Sequence, residues 1–120
     1  MSEPFSKNQI EYMVNRYAIA YLKECLKDVT PKQATHQSEY TSSEHCLWMV
    51  QDVHRRLVTL MKEGEHGKIG RWIGYAHGIV VSNHLGTVED LSMILRNVKE
   101  RPDLYYPEYK DDYERYFPTD

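Results

Sequence analysis

A chain of 120 residues and 14.2 kDa has the size of one domain, and we expect a single helical domain over residues 1–120. Its 41% hydrophobic and 28% charged residues exclude a fully disordered chain, and its two cysteines are too few for a disulfide scaffold. The net charge of −3 is concentrated in residues 102–120, which hold six acidic and two basic residues. Because no dense basic face precedes this acidic tail, we do not expect binding to duplex nucleic acid.

The chain also lacks the apolar segments that a membrane protein needs. No run approaches about 18 consecutive apolar residues, which a membrane-spanning helix requires. The first residues have no apolar core of the kind found in a secretory signal. We therefore expect a cytoplasmic protein that does not contact membranes.

The first predicted helix lies within residues 1–30 and extends from Lys7 to Asp28. Its apolar residues recur in steps of three and four, which places them on one stripe of a helix. Ser6 is the predicted N-cap, and the helix should end before Pro31, because proline disfavours helix at the preceding residue.

A polar connection follows over residues 29–42, without hydrophobic period and with room for one helical turn after its proline. It is longer than most helix-to-helix links, which favours a mobile or functional loop. The second helix should start near Ser42 or Ser43, because Thr41 and Glu44 have the spacing of a capping box.

Residues 43–85 are predicted to form a helical hairpin. Gly64 and Gly67 form a short break, so the helices on either side of it should pack antiparallel. The second of these helices should run from Lys68 to Leu85, with Gly86 as its C-cap.

A fourth helix completes the segment 43–101. Thr87 is its predicted N-cap, with acidic residues in the first turn, and Pro102 follows its end. The residues predicted to be buried along it are Val88, Leu91, Ile94, Leu95 and Val98.

The tail over residues 102–120 contains half of the ten tyrosines. Tyr109, Tyr113, Tyr116 and Phe117 have helical spacing, and Pro107 would suit a first helical position. We expect a short aromatic helix that docks on the body of the protein or on a neighbouring subunit. The predicted fold class is therefore all-α, a helical hairpin in a small bundle of about four helices with an aromatic C-terminal helix.

Three glycines, Gly70, Gly74 and Gly78, recur every four residues and share one face of the third helix. Each costs about 1 kcal/mol relative to alanine inside a helix, so the pattern needs a compensating role. One explanation is close packing of another backbone, within the chain or between subunits, and the other is a groove for a ligand or a symmetry mate. We expect a homo-oligomer, most simply a dimer, with these glycines in its interface.

The same helix carries side chains that suit a nucleotide. Arg71 can hold a phosphate in bidentate geometry, and Trp72 and Tyr75 offer flat faces on which a base stacks. The alternative is structural, with Trp72 in the core and Arg71 solvated. The further candidate ligand-binding residues are His77, Asn83 and His84, with Arg55 and its neighbour Arg56 as additional phosphate contacts unless they form a solvated helical face.

Catalytic chemistry is not indicated. None of the six histidines forms the helical i, i+4 pair of a zinc site, so no metal is expected. Cys25 and Cys46 lie on apolar stripes, where thiols are inert. We therefore predict a protein that is not an enzyme and has no cofactor.

One segment, residues 68–91, resembles a known group of small phage and prophage proteins. These carry the motif Arg-Trp-Leu-Gly-Phe-x-Gln-Gly, then a short gap and Thr-hydrophobic-Asp-Glu-Leu. The matching residues here are Arg71, Trp72, Ile73, Gly74, Tyr75, Gly78, Thr87, Val88, Glu89, Asp90 and Leu91. His77 stands where the motif has glutamine.

Such helical-hairpin proteins are similar to phage counter-defence sponges of the anti-CBASS and anti-Thoeris type, which bind cyclic nucleotide signals between the helices of a homo-oligomer without cleaving them. The resemblance implies a phage-encoded protein that sequesters a cyclic nucleotide immune signal in an infected bacterial host. The alternative is an inhibitor that docks on a host protein through its helical surface and acidic, tyrosine-rich tail.

Overall fold

The computed structural model describes residues 5–118 and confirms the all-α prediction, because this part of the chain contains helices and no strand. A 3₁₀ turn at Gln37–Glu39 interrupts the connection between the first two helices. The five α-helices are α1 (Lys7–Cys25), α2 (Ser43–Lys62), α3 (His66–Ser82), α4 (Val88–Glu100) and α5 (Pro102–Tyr116).

Two predicted N-caps are confirmed. The Ser6 hydroxyl accepts from the backbone N–H of Gln9, whose side chain accepts in return from the Ser6 N–H, so α1 begins with a complete capping box. The Thr87 hydroxyl accepts from the N–H of Asp90 at the start of α4. Each cap satisfies a backbone donor that the helix itself leaves unpaired.

The cap of α2 differs from the prediction by one residue. Ser42, rather than Thr41, accepts from the backbone N–H of His45, and the capping box predicted for Thr41 and Glu44 is therefore wrong. Three consecutive hydroxyl residues precede α2, and spacing alone does not distinguish them.

The break between α2 and α3 is shorter than predicted. Gly64 has φ +76°, a left-handed conformation that glycine adopts without strain, whereas Gly67 lies inside α3. The two helices pack antiparallel: the Cys46 thiol near the start of α2 lies 3.5 Å from the Ala76 carbonyl in the second half of α3.

The end of α3 differs from the prediction. The helix ends at Ser82, and His84 has φ +60°, so the predicted C-cap at Gly86 is wrong. Gly86 instead serves a close approach, because a Cβ there would lie 2.6 Å from the Tyr21 hydroxyl oxygen and 2.9 Å from a methyl of Val80.

Helix α4 lies against α1 and is buried through Leu91 and Val98. Val88 was predicted on the same stripe but is 58% exposed, because it stands in the first turn at the edge of that stripe.

Helix α5 begins at Pro102, so the prediction that Pro107 opens the helix is wrong and Pro107 lies inside it. Pro102 fits the first helical position because the missing N–H would have no intrahelical partner there. The buried face of α5 packs on α1 of the same chain, which decides between the two predicted docking sites for the aromatic helix. Its buried residues are Tyr106, Tyr109 and Tyr113, whereas Tyr116 is 38% exposed.

Candidate functional site

A surface pocket of about 440 Å³ lies between α2 and α3, and we call it the α2–α3 pocket. Helix α2 supplies one wall, α3 supplies the other, and the connection before α2 supplies the rim. Its lining residues are Tyr40, His45, Met49, Arg71, Trp72 and Tyr75.

Aromatic rings form most of this pocket. The His45 ring lies between Tyr40 and Trp48, with ring centroids 5.5 Å and 5.6 Å away, and it is nearly parallel to the indole. The Tyr75 hydroxyl donates to the Tyr40 carbonyl oxygen at 3.2 Å. Tyr40 and Tyr75 are 47% and 46% exposed. Flat π-faces are therefore accessible to a planar ligand.

The connection over residues 29–42 fixes the His45 ring. The Ala34 N–H donates to His45 Nδ1 at 3.0 Å, and the Lys32 N–H donates to the Glu44 carbonyl oxygen at 3.0 Å. Because Nδ1 accepts, the neutral His45 ring carries its proton on Nε2. Nε2–H is then a donor for a ligand.

Cations surround the Trp72 ring. The Arg56 guanidinium carbon lies 5.0 Å from the ring centroid, and the Lys68 ammonium nitrogen lies 5.1 Å from it. Arg71 is exposed, and within residues 5–118 it has no carboxylate within ion-pair distance. Among the described residues, the only carboxylate paired with these three cations is Asp52, which lies 3.4 Å from Arg56.

The structure brings three of the predicted ligand-binding residues together in this pocket, namely Arg71, Trp72 and Tyr75. His77 lies elsewhere: its Nε2 is 3.1 Å from the Thr87 carbonyl oxygen, and its ring meets the edge of Tyr21 at a centroid distance of 6.3 Å.

The remaining predicted residues also lie outside the pocket lining. The Asn83 amide donates to the Ile79 carbonyl oxygen at 2.9 Å, so this amide serves the end of α3, and His84 follows in the turn. Arg55 pairs with Asp52 at 2.9 Å and lines a different cavity. Its neighbour Arg56 is the arginine of α2 that lies over Trp72 of the pocket lining, because adjacent helical residues point about 100° apart.

Sequence reasoning missed Tyr40, His45, Met49 and Lys68. His45 and Met49 are four apart on α2 and Lys68 precedes Trp72 by four on α3, so helical spacing could have grouped each pair. Nothing in the sequence indicated that Tyr40 would fold back against α3.

The glycine face of α3 is open to solvent. Gly70, Gly74 and Gly78 are exposed, and a Cβ built at any of them would meet no atom within 4 Å. Close packing of another segment from residues 5–118 therefore does not explain these glycines.

The Cys46 thiol is buried, and the described part of the chain does not gather metal-ligating side chains. Burial raises the pKa of the Cys46 thiol to about 11, so the reactive thiolate is scarce at pH 7. Residues 5–118 contain no group of three or more histidine, cysteine or acidic side chains placed to hold a metal ion.

The chain has no significant match among protein-family models, curated proteins or solved structures. Across the described residues, every helix is too short or too polar to cross a membrane. The proposed binding site therefore rests on the geometry of the chain itself.

Proposed function

We propose that the protein binds a nucleotide in the α2–α3 pocket and holds it without reaction. One observation carries the proposal: Arg71, an arginine without an ion pair within residues 5–118, lines the same pocket as the exposed rings of Tyr40 and Tyr75. A nucleotide combines a planar base with an anionic phosphate, and this pocket offers a counterpart to each.

In the proposed complex the base stacks on Tyr75 or Tyr40, and the phosphate pairs with the Arg71 guanidinium. Arg56 and Lys68 add positive charge beside Trp72. His45 Nε2–H donates to a base edge or a phosphate oxygen. A pocket of about 440 Å³ is in the range of small-molecule sites, although its open shape leaves part of a larger ligand exposed unless a second copy covers it.

The lining supports retention without cleavage. Among the described residues it contains no carboxylate and no thiol, and the accepting Nδ1 of its one histidine is occupied by a backbone N–H. The described lining therefore offers no oriented general base to activate a water molecule for phosphodiester hydrolysis.

The biological role that we propose comes from the resemblance of residues 68–91 to the phage motif. In this role the ligand is a cyclic nucleotide immune signal, and the protein is a phage-encoded counter-defence protein that sequesters it. The proposal includes a homo-oligomer, most simply a dimer, in which a second copy covers the exposed face of Gly70, Gly74 and Gly78.

The alternative, an inhibitor that docks on a host protein through its tail, has less support. Tyr106, Tyr109 and Tyr113 are buried against α1, so their rings are not offered to a partner. The exposed side chains of α5 are mostly charged, and exposed charged side chains contribute little to binding energy.

A thermal-shift panel of cyclic and linear nucleotides tests the proposed function. A ligand present at 100 times its Kd should stabilise the protein by about 2.7 kcal/mol, and it should be recovered intact after denaturation. The linear nucleotide of the same base controls for simple phosphate binding. Absence of a shift with every nucleotide, or recovery of a hydrolysed product, would contradict the proposal.

A further inference from the structure

A second cavity, of about 560 Å³, lies among α1, α2 and α5, and we call it the α1–α2–α5 cleft. It shares no lining residue with the α2–α3 pocket. Its polar lining includes Arg16 from α1, His54 and Arg55 from α2, and Asp112 and Tyr116 from α5.

Lys23 of α1 does not line the cleft, but it places a further positive charge against His54, which does. Its ammonium nitrogen lies 2.5 Å from His54 Nδ1, and the side chain is half-buried. No carboxylate within residues 5–118 lies within ion-pair distance of Lys23. Burial lowers the pKa of Lys23, and the positive charges of Arg16 and Arg55 lower it further.

The carboxylates near the cleft are already shared. Asp112 lies 3.5 Å from Arg16, and Asp52 lies 2.9 Å from Arg55. Each of these carboxylates also contacts a second arginine, at 3.9 Å for Asp112 and 3.4 Å for Asp52. Two negative charges thus serve four guanidinium groups, and residues 5–118 place no further carboxylate within ion-pair distance of Lys23.

Arg16 is held in place rather than solvated. Its side chain is 18% exposed, its guanidinium donates to the Tyr12 hydroxyl at 2.6 Å, and the guanidinium carbon lies 4.4 Å from the Tyr109 ring centroid. A preorganised arginine loses little side-chain entropy when it binds an anion.

We propose that the α1–α2–α5 cleft is a binding site for a phosphoryl group, either free phosphate or the phosphate of a small ester, held by Arg16 and His54 with the positive charge of Lys23 beside them. A dianion would compensate the excess positive charge, whereas a single carboxylate would leave part of it unbalanced. The Lys23 ammonium donates to His54 Nδ1, so the neutral imidazole keeps its proton on Nε2 as a further donor. The site is independent of the proposed nucleotide pocket.

The protonation of His54 reports on this site. Burial lowers the pKa of His54, the charges of Lys23 and Arg16 lower it further, and Asp112 opposes them. The other ionisable groups that line the cleft around the ring are Arg55 from its own helix, Tyr12 from α1 and Tyr116 from α5. A bound dianion should therefore raise the pKa of His54, because it stabilises the imidazolium.

The experiment uses the full chain and sodium phosphate, with sodium chloride at matched ionic strength as the reference. We expect phosphate to raise the melting temperature and, by NMR of the imidazole ring, to raise the pKa of His54. Lys23→Met should weaken phosphate binding at least tenfold. Lys27→Met is the matched control, because Lys27 lies four residues further along, is exposed and pairs with Glu24.

Without phosphate, Lys23→Met should be at least as stable as the natural chain, because it removes a half-buried cation that has no ion-pairing carboxylate within residues 5–118. Glycerol 2-phosphate distinguishes the sources: stronger binding than phosphate identifies an ester as the ligand, and weaker binding identifies free phosphate. Arg71→Ala should leave the phosphate response unchanged, which separates this site from the nucleotide pocket. A phosphate effect no larger than that of chloride, an unchanged pKa of His54, or equal responses of the two lysine variants would overturn the proposal.

Discussion

Replacing Tyr113 with alanine is expected to lower the free energy of unfolding by about 3–5 kcal/mol, the range for large aromatic side chains in protein cores. Tyr113 is 1% exposed, and its ring centroid lies 5.5 Å from that of Tyr12 on α1 and 4.9 Å from that of Phe117. The variant would leave a cavity at the centre of the contact between α5 and α1. Because a small domain is stable by only about 5–15 kcal/mol, a large part of the population should unfold at moderate urea concentrations.

Urea unfolding followed by circular dichroism measures this effect. Tyr113→Phe keeps the ring and removes the hydroxyl that accepts from the Asn8 amide at 3.0 Å, so it should cost only about 0.5–1.5 kcal/mol. Leu104→Ala is the surface control on the same helix, because Leu104 is 62% exposed. If Tyr113→Ala destabilised the protein no more than Leu104→Ala, α5 would not be part of the core.

Replacing Arg71 with alanine is expected to weaken nucleotide binding roughly tenfold to hundredfold, the equivalent of a charge-assisted hydrogen bond of about 1.5–3 kcal/mol. Stability should change little, because Arg71 is exposed and forms no ion pair within the described part of the chain. Lysine should restore only part of the affinity, since an ammonium does not reproduce the planar fork of a guanidinium. Calorimetric titration of the ligand found by thermal shift measures these affinities.

Arg96→Ala is the matched control for this variant, because Arg96 is an exposed arginine on α4, outside the α2–α3 pocket. In the same titrations Tyr75→Ala should lose about 1–3 kcal/mol of stacking, whereas Tyr75→Phe should keep most of the affinity. Unchanged affinity in Arg71→Ala would remove this residue from the proposed site. Equal losses in Arg71→Ala and Arg96→Ala would indicate general electrostatic attraction instead of a specific contact.

The sequence predicts well those helix starts whose capping residue and capped N–H group are close together in the chain. Ser6 and Thr87 cap the N–H groups of residues three positions along the chain, so local spacing is sufficient to find them. The end of α3 was predicted wrongly because Gly86 is required by a tertiary contact, its close approach to the Tyr21 hydroxyl. That requirement joins residues 65 positions apart, and no local pattern contains it.

The candidate site shows the same division between local and long-range information. Arg71, Trp72 and Tyr75 lie within five consecutive residues of one helix, so the sequence alone grouped them. Tyr40 joins them only because the connection before α2 folds back, so that the Tyr75 hydroxyl bonds to the Tyr40 carbonyl. The choice between Arg55 and Arg56 depends on the rotation of α2 about its axis, which apolar residues spaced three and four apart fix only to within about one residue.

The exposed glycine face illustrates a different limit of prediction from the sequence. The spacing of Gly70, Gly74 and Gly78 places them on one face, and the structure agrees. The sequence offered packing within the chain as one explanation, but a Cβ at these positions would have free space. Helix propensity therefore favours alanine over glycine at these three positions by about 1 kcal/mol per residue. Because contacts within the described chain do not explain the glycines, we propose that a second copy occupies this face.

Tryptophan fluorescence tests the central claim most directly, because Trp72 lines the α2–α3 pocket, whereas Trp48, the other tryptophan of the chain, stacks on His45 of that lining. The Trp48→Phe variant leaves Trp72 as the single indole of the chain. Titration with a nucleotide that stabilises the protein should quench its emission, with half-saturation at the Kd obtained by calorimetry, and Arg71→Ala in the same background should shift the midpoint roughly tenfold or more. Free N-acetyltryptophanamide corrects for absorption of light by the nucleotide. Emission from Trp72 that stays constant at saturating ligand, while the protein is stabilised, would contradict the claim and place the nucleotide outside this pocket.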